Sequence, residues 1–160
     1  MAAAQVKVQF NQALKELQTL MPLDHSTHYS PEDLKLLEAV AEIKYQDAEY
    51  EQALPLFERL ALHDPNCSPY WMGLATCWQK KGKYEEALKA WDLVILLDAH
   101  DPLSFLSMAE CYEALGMREE GKRAAASCKQ KVTDSSSPLF ARLRTLEQKW
   151  EKEKNQKGDD

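Results

Sequence analysis

Glycine, proline and β-branched runs are all scarce in this sequence. Five glycines and seven prolines stand among 160 residues, too few punctuating residues for the turn-dense layout of a sandwich or barrel. That balance favours helices. Basic charge is also short: 20 Lys and Arg face 26 Asp and Glu, for a net charge of −6 and a pI near 5.3. A chain of that sign repels phosphate backbones unless it gathers a basic stripe. The densest run, Lys80-Lys81-Gly82-Lys83, reads as a solvated turn between two helices. No stretch approaches the roughly 20 apolar residues of a membrane helix. The opening Met1-Ala2-Ala3-Ala4 runs into Gln5, Lys7, Gln9 and Asn11 without the apolar core of a secretory signal. The four cysteines (Cys67, Cys77, Cys111, Cys128) form no CxxC pair, so free thiols in a reducing cytosol are expected.

What is there is a repeat. Tyr50-Glu-Gln-Ala53 and Tyr84-Glu-Glu-Ala87 are the same word 34 residues apart. Cys77 and Cys111, Gly82 and Gly116, and Trp78 and Tyr112 keep that spacing. A period of 34 is that of the tetratricopeptide (TPR) helix pair. Laid on the TPR pattern, the middle unit fits best, with Trp71, Leu74, Ala75, Trp78, Gly82, Ala87 and Trp91. The first offers Leu37, Val40, Ala41, Ala53, Phe57 and Pro65, with Lys44 in its aromatic slot. The third keeps Phe105, Met108, Ala109, Tyr112 and Gly116, but has Gly121 and Ala125 where Ala and Phe belong. Small residues (Ala41, Ala53, Ala75, Ala87, Ala109) are expected where paired helices cross closely, and large ones (Phe57, Trp71, Trp91, Phe105) beside them.

Helix starts support this register. Ser30-Pro31, Ser68-Pro69, Asp101-Pro102 and Ser137-Pro138 each set a capping side chain before a first-turn proline. Pro55 falls early in a second helix, where a mild bend is expected. Two flanking helices complete the pattern. Residues 3–21 carry the stripe Val6, Phe10, Leu14, Leu17 and Met21, and residues 138–154 carry Leu139, Leu143, Leu146 and Trp150. The fold class is therefore all-α: three tandem TPR pairs wound into a right-handed superhelix, with one helix at each end. The expected organisation is an N-terminal helix and linker over 1–30, repeats over 31–135 (34–67, 68–101, 102–135), a capping helix over 136–154 and a disordered tail over 155–160.

Catalytic chemistry finds no support. His25 and His28 form an H-x2-H in a polar linker with no Cys or carboxylate pair at ligand spacing. Cys77 and Cys111 share one slot of successive repeats and read as small apolar packing groups. Glu85-Glu86 and Glu119-Glu120 open second helices, where they complement the helix dipole. No metal, no cofactor and no enzyme activity are expected.

What remains is a surface. The TPR resemblance implies that the first helix of each pair lines a concave face. Its outward slots read Lys35, Glu38, Glu42, Tyr45 and Gln46, then Pro69, Met72, Thr76, Gln79 and Lys80, then Leu103, Leu106, Glu110, Glu113 and Ala114. Tyr45, Pro69, Met72, Thr76, Gln79, Leu103, Leu106 and Glu110 are the candidate peptide-groove residues, and their apolar members suit an extended, partly apolar segment. Leu103 and Leu106 could instead pack under a flanking helix. TPR domains that grip acidic C-terminal tails place Lys, Asn and Arg in these slots. Here Glu38, Glu42, Gly73, Leu103 and Ser107 stand there, and two glutamates would repel a carboxylate.

Several segments resemble the class II chaperones of bacterial type III secretion, the SycD/LcrH type. They are Ser68-Pro-Tyr-Trp-Met-Gly-Leu-Ala-Thr-Cys-Trp-Gln79, Gly82-Lys-Tyr-Glu-Glu-Ala-Leu88, Leu97-Asp-Ala-His-Asp-Pro102 and Ala109-Glu-Cys-Tyr-Glu-Ala-Leu-Gly116. Ala75 and Ser107 stand where that family has Gly and, nearby, His. The resemblance implies a chaperone of the bacterial cytoplasm that holds an extended N-terminal segment of a hydrophobic translocator protein in its groove. It also implies a homodimer through the first helix, with Val6, Phe10, Leu14, Leu17 and Met21 as the contact. The alternative is a general TPR scaffold in a multi-protein assembly.

Overall fold

The computed structural model describes residues 2–20 and 28–156. Regular structure there is helical throughout: α1 Ala2–Leu20, α2 Pro31–Gln46, α3 Tyr50–His63, α4 Ser68–Lys80, α5 Tyr84–Leu97, α6 Pro102–Ala114, α7 Arg118–Lys131 and α8 Pro138–Gln156. The helix pairs fall where the 34-residue period predicts them. His25 and Met21 lie outside the described residues.

Capping explains most of the starts. Ser30 and Asp33 form a reciprocal capping box at α2, with the Asp33 amide donating to Ser30 Oγ at 3.1 Å and the Ser30 amide to Asp33 Oδ2 at 3.0 Å. Asp101 accepts from the amides of Leu103 (3.3 Å) and Ser104 (2.9 Å) at α6. Ser137 Oγ accepts from the Phe140 amide at α8. The expected cap at Ser68 is corrected: Ser68 is already helical, and Cys67 stands at the cap without a side-chain bond. The α3 helix runs on through Pro55. The tail expected from residue 155 is corrected as well, since α8 continues to Gln156. Lysines 152 and 154 near that end oppose the partial negative charge of the helix terminus.

The turns within the pairs share one backbone device. Ala48, Gly82 and Gly116, each 34 residues from the next, have φ of 59°, 74° and 75°. Glycine reaches this left-handed region freely, and alanine does so only at a cost.

The chain forms two compact units, residues 1–99 and 100–160. In the first, α2 pairs with α3, α3 packs on α4, α4 pairs with α5, and α1 lies along α5. The predicted small slots are all closed: Ala41, Ala53, Ala75 and Ala87 have no exposed surface, and Trp71, Trp91 and Phe57 are buried beside them. Burying each such ring contributes on the order of 2–3 kcal/mol. Trp71 Nε1 donates to the Pro65 carbonyl at 2.8 Å, so this large ring is anchored at its polar edge. A Cβ on Gly73 would lie 2.6 Å from Phe57 Cδ1, so glycine is required there by the ring above it.

In the second unit α6 pairs with α7, and α8 packs on both. Arg142 meets Glu110, and Lys149 and Trp150 meet Glu113. Successive residues of α8 thus meet successive residues of α6, and the two helices run the same way. Leu143 and Trp150 are its buried anchors. Phe105, expected among the large packing residues, is only half-buried and carries the Lys131 ammonium 5.0 Å from its ring centre.

Candidate functional site

The candidate groove residues divide by what their neighbours already use. On α2, Tyr45 is half-buried and stacks edge-on against Tyr50 and Phe57, with ring centres 6.0 and 6.1 Å apart. Its ring therefore sits in the aromatic cluster that also covers Gly73. Lys35, Glu38 and Glu42 are exposed. Glu42 accepts from Gln46 at 2.9 Å.

On α4, Pro69 is exposed and Met72 half-exposed. The polar slots beside them are satisfied internally. Thr76 Oγ1 donates to the Met72 carbonyl at 2.9 Å, and Gln79 Oε1 accepts from Trp91 Nε1 at 3.3 Å. Polar groups whose bonds are already made offer a ligand little, so the free chemistry of this strip is the apolar surface of Met72 and Pro69.

On α6 the expectation needs correcting. Leu106 has no exposed surface, so it is a core residue and presents nothing to a peptide. Glu110 is held by Arg142, whose Nη2 donates to both carboxylate oxygens at 2.8 and 2.7 Å. A bidentate pair of this kind is positioned for joining α8 to α6, not for reaching a ligand. Leu103 remains half-exposed. Glu113 is the centre of a further network with Lys149 at 2.7 Å, the Trp150 ring N–H and Arg118. Desolvation pushes its pKa up, but the hydrogen bonds from Lys149 and Trp150 and the nearby charges together hold it below the ordinary value. None of these α8 pairings was legible in the sequence, which shows the charges but not their partners.

The first-helix stripe is largely spoken for within the chain. Leu17 is fully buried, Phe10 and Leu14 half-buried, and Val6 and Val8 exposed at 41% and 67%. Val6, Phe10 and Leu14 face Pro65, Leu96 and Leu97 across a cleft of about 530 Å³.

Reactive groups are quiet. Burial pushes the thiols of Cys77 and Cys111 up to about 12 and that of Cys128 to about 11, so thiolate is negligible at neutral pH. Among the described residues no cluster of three or more His, Cys, Asp or Glu could hold a metal ion. No described helix is long and apolar enough to cross a membrane.

Comparison with known proteins agrees with this geometry. The tetratricopeptide repeat family matches residues 44–104. The chain is similar to PcrH of Pseudomonas aeruginosa in complex with the chaperone binding region of PopB: 27% identity, 74% of this chain and 97% of that one, TM-score 0.66. The PcrH complex with the chaperone binding region of PopD gives 25% identity over 82% and 98%, with a TM-score of 0.68. SycD of Yersinia enterocolitica, solved with a peptide of the translocator YopD, shares the fold at 23% identity and a TM-score of 0.66. No curated protein sequence matches the chain. The all-α TPR fold is thus that of the class II translocator chaperones of type III secretion.

Proposed function

We propose that this protein is a chaperone of the bacterial cytoplasm that binds an extended segment near the N-terminus of a hydrophobic type III secretion translocator. The observation that carries the reading is the likeness to PcrH, itself solved with the chaperone binding regions of two partners, over 97–98% of its length. The free apolar strip of Pro69 and Met72 on α4 supports it. Helix pairs over 31–135 carry the cargo slots, and α8 serves as the cap.

The mechanism is mass action. A segment held on the chaperone is removed from the pool that aggregates, and the complex is stabilised as ligand concentration exceeds Kd. The bound segment gives up conformational entropy, so affinity stays moderate and release to the secretion apparatus stays possible. Neither a cofactor nor a covalent step is involved.

Co-expression with a translocator from the same gene cluster should yield a soluble complex. Met72→Glu should weaken it by about tenfold or more, since a charge would replace an apolar contact. A translocator that stays insoluble, or a complex indifferent to Met72→Glu, overturns the proposal. A homodimer through the part of α1 left exposed accompanies this reading. Light scattering on the full chain should then show a dimer that Val6→Glu converts to monomer.

A further inference from the structure

In the first unit one side of α2 is left open. There α1 is engaged along α5, with Leu17 fully buried. It therefore does not cover the outer side of α2. Leu36 and Ile43 are left 65% and 55% exposed there, with Ala39 exposed between them. Residues 36, 39 and 43 follow i, i+3, i+7 spacing, which is one continuous side of a helix about 10 Å long. Next to this stripe lies a space of about 510 Å³ walled by Tyr29, Leu36, Leu37, Val40 and Leu56, with His28 and Asp33 completing its lining. The lining is mostly apolar or aromatic, with His28 and Asp33 as its polar members, and the space suits a single large anchoring side chain.

The charges around the stripe select the occupant. Glu32, Asp33, Glu38, Glu42 and Asp47 are exposed on or beside α2. Of the two lysines in the helix, Lys44 is bound to Glu49 and only Lys35 is exposed. A second copy of the chain would set these acids against their equivalents, in a molecule whose net charge is already −6. An extended strand has no edge to pair with, since α2 satisfies its own backbone. A helix, in contrast, packs an apolar ridge into just such a stripe, as neighbouring helices do throughout the fold.

We propose that the outer face of α2 is a second docking surface, separate from the cargo strip, for an amphipathic helix of a partner protein whose apolar side is flanked by Lys and Arg. Apolar side chains of the incoming helix cover Leu36, Ala39 and Ile43, one of them entering the space beside Leu37 and Val40. Its cations meet Glu32 and Asp47. This surface stands whether or not the cargo reading holds, because no residue is shared between the two.

The test uses the full chain and two synthetic helical peptides of about 16 residues. Both carry Leu at i, i+3 and i+7; one has Lys at the flanking positions and the other has Glu. The Lys-flanked peptide should bind with an affinity that falls as salt rises, and the Glu-flanked one should bind at least about tenfold more weakly. Leu36→Glu and Ile43→Glu should each reduce binding by about tenfold or more, with Met72→Glu leaving it unchanged. Equal binding of the two peptides overturns the proposal without reference to any variant. So does binding that ignores Leu36→Glu, and so does a dimer of the free chain that Leu36→Glu converts to monomer, which would make a second copy the occupant.

Discussion

One surface of α6 is covered by α8, and one surface of α2 is left open. The covered side is held by charged pairs (Arg142 with Glu110, Lys149 with Glu113) and by two buried anchors, Leu143 and Trp150. The open side shows Leu36 and Ile43 to solvent. The difference teaches that the repeat pattern fixes which residues face within a helix pair, whereas the outward surface of an end helix is set by what the flanking segment does. Here α8 caps and α1 turns away to α5.

The largest expected effect breaks the capped end. Trp150→Ala removes a 6% exposed ring and the donor to Glu113, and should cost about 3–5 kcal/mol. Hydrogen exchange should show the loss in the amides of α6–α8, with α2–α5 protected as before. Equal loss of protection in both regions would mean that the two do not behave as separate cooperative units.

Acid should act on the two regions with opposite sign. In the second, Glu113 has a depressed pKa, so its contribution is present at neutral pH and is lost as pH falls through that value. In the first, Glu58 is buried, and desolvation raises its pKa despite Lys83, Lys81 and Arg59 nearby. Its ionised form is the unfavourable one, so the penalty disappears on acidification. Urea unfolding should find Glu113→Gln destabilising and Glu58→Gln stabilising at pH 7, with both differences shrinking near pH 3. Two differences of the same sign at pH 7 would contradict this account.

Smaller effects sharpen the contrast at the turns and the open face. Among the described residues, Ala48 alone holds the left-handed turn conformation without being glycine. Relief of about 1–2 kcal/mol of strain, less the entropic cost of glycine, predicts that Ala48→Gly stabilises by about 0.5–1 kcal/mol. Gly82→Ala, at the matching turn, should destabilise, and a differential scanning trace would order the three proteins. Smallest of all, Leu36→Ala should change stability by less than about 0.5 kcal/mol, because little of that side chain is buried.

Much of this was legible in the sequence, and the reasons are physical. A period of 34 set the helix pairs, and the Ser-Pro and Asp-Pro steps set most of the starts, because both signals are local. The turn at Ala48 belongs to the same series as Gly82 and Gly116 but carries no glycine to announce it. The capture of Glu110 depends on where α8 lies, and contacts between residues 32 apart leave no periodic trace. Leu36 and Ile43 were hidden for a different reason: α2 is apolar on several sides (Leu34, Leu37, Val40, Ala41), and nothing within it says which side will lack a neighbour.

The glycine beneath Phe57 has a consequence for how such a molecule can be built or rebuilt. Phe57 belongs to the first repeat and Gly73 to the second, and the ring occupies space that a side chain of the second repeat would otherwise fill. These two helix pairs are therefore not interchangeable modules. Duplicating the first pair alone would set a second copy of the Phe57 ring over Ala39, which stands 34 residues before Gly73 and carries the Cβ that the ring leaves no room for, so a pair that follows Phe57 must bring its own glycine.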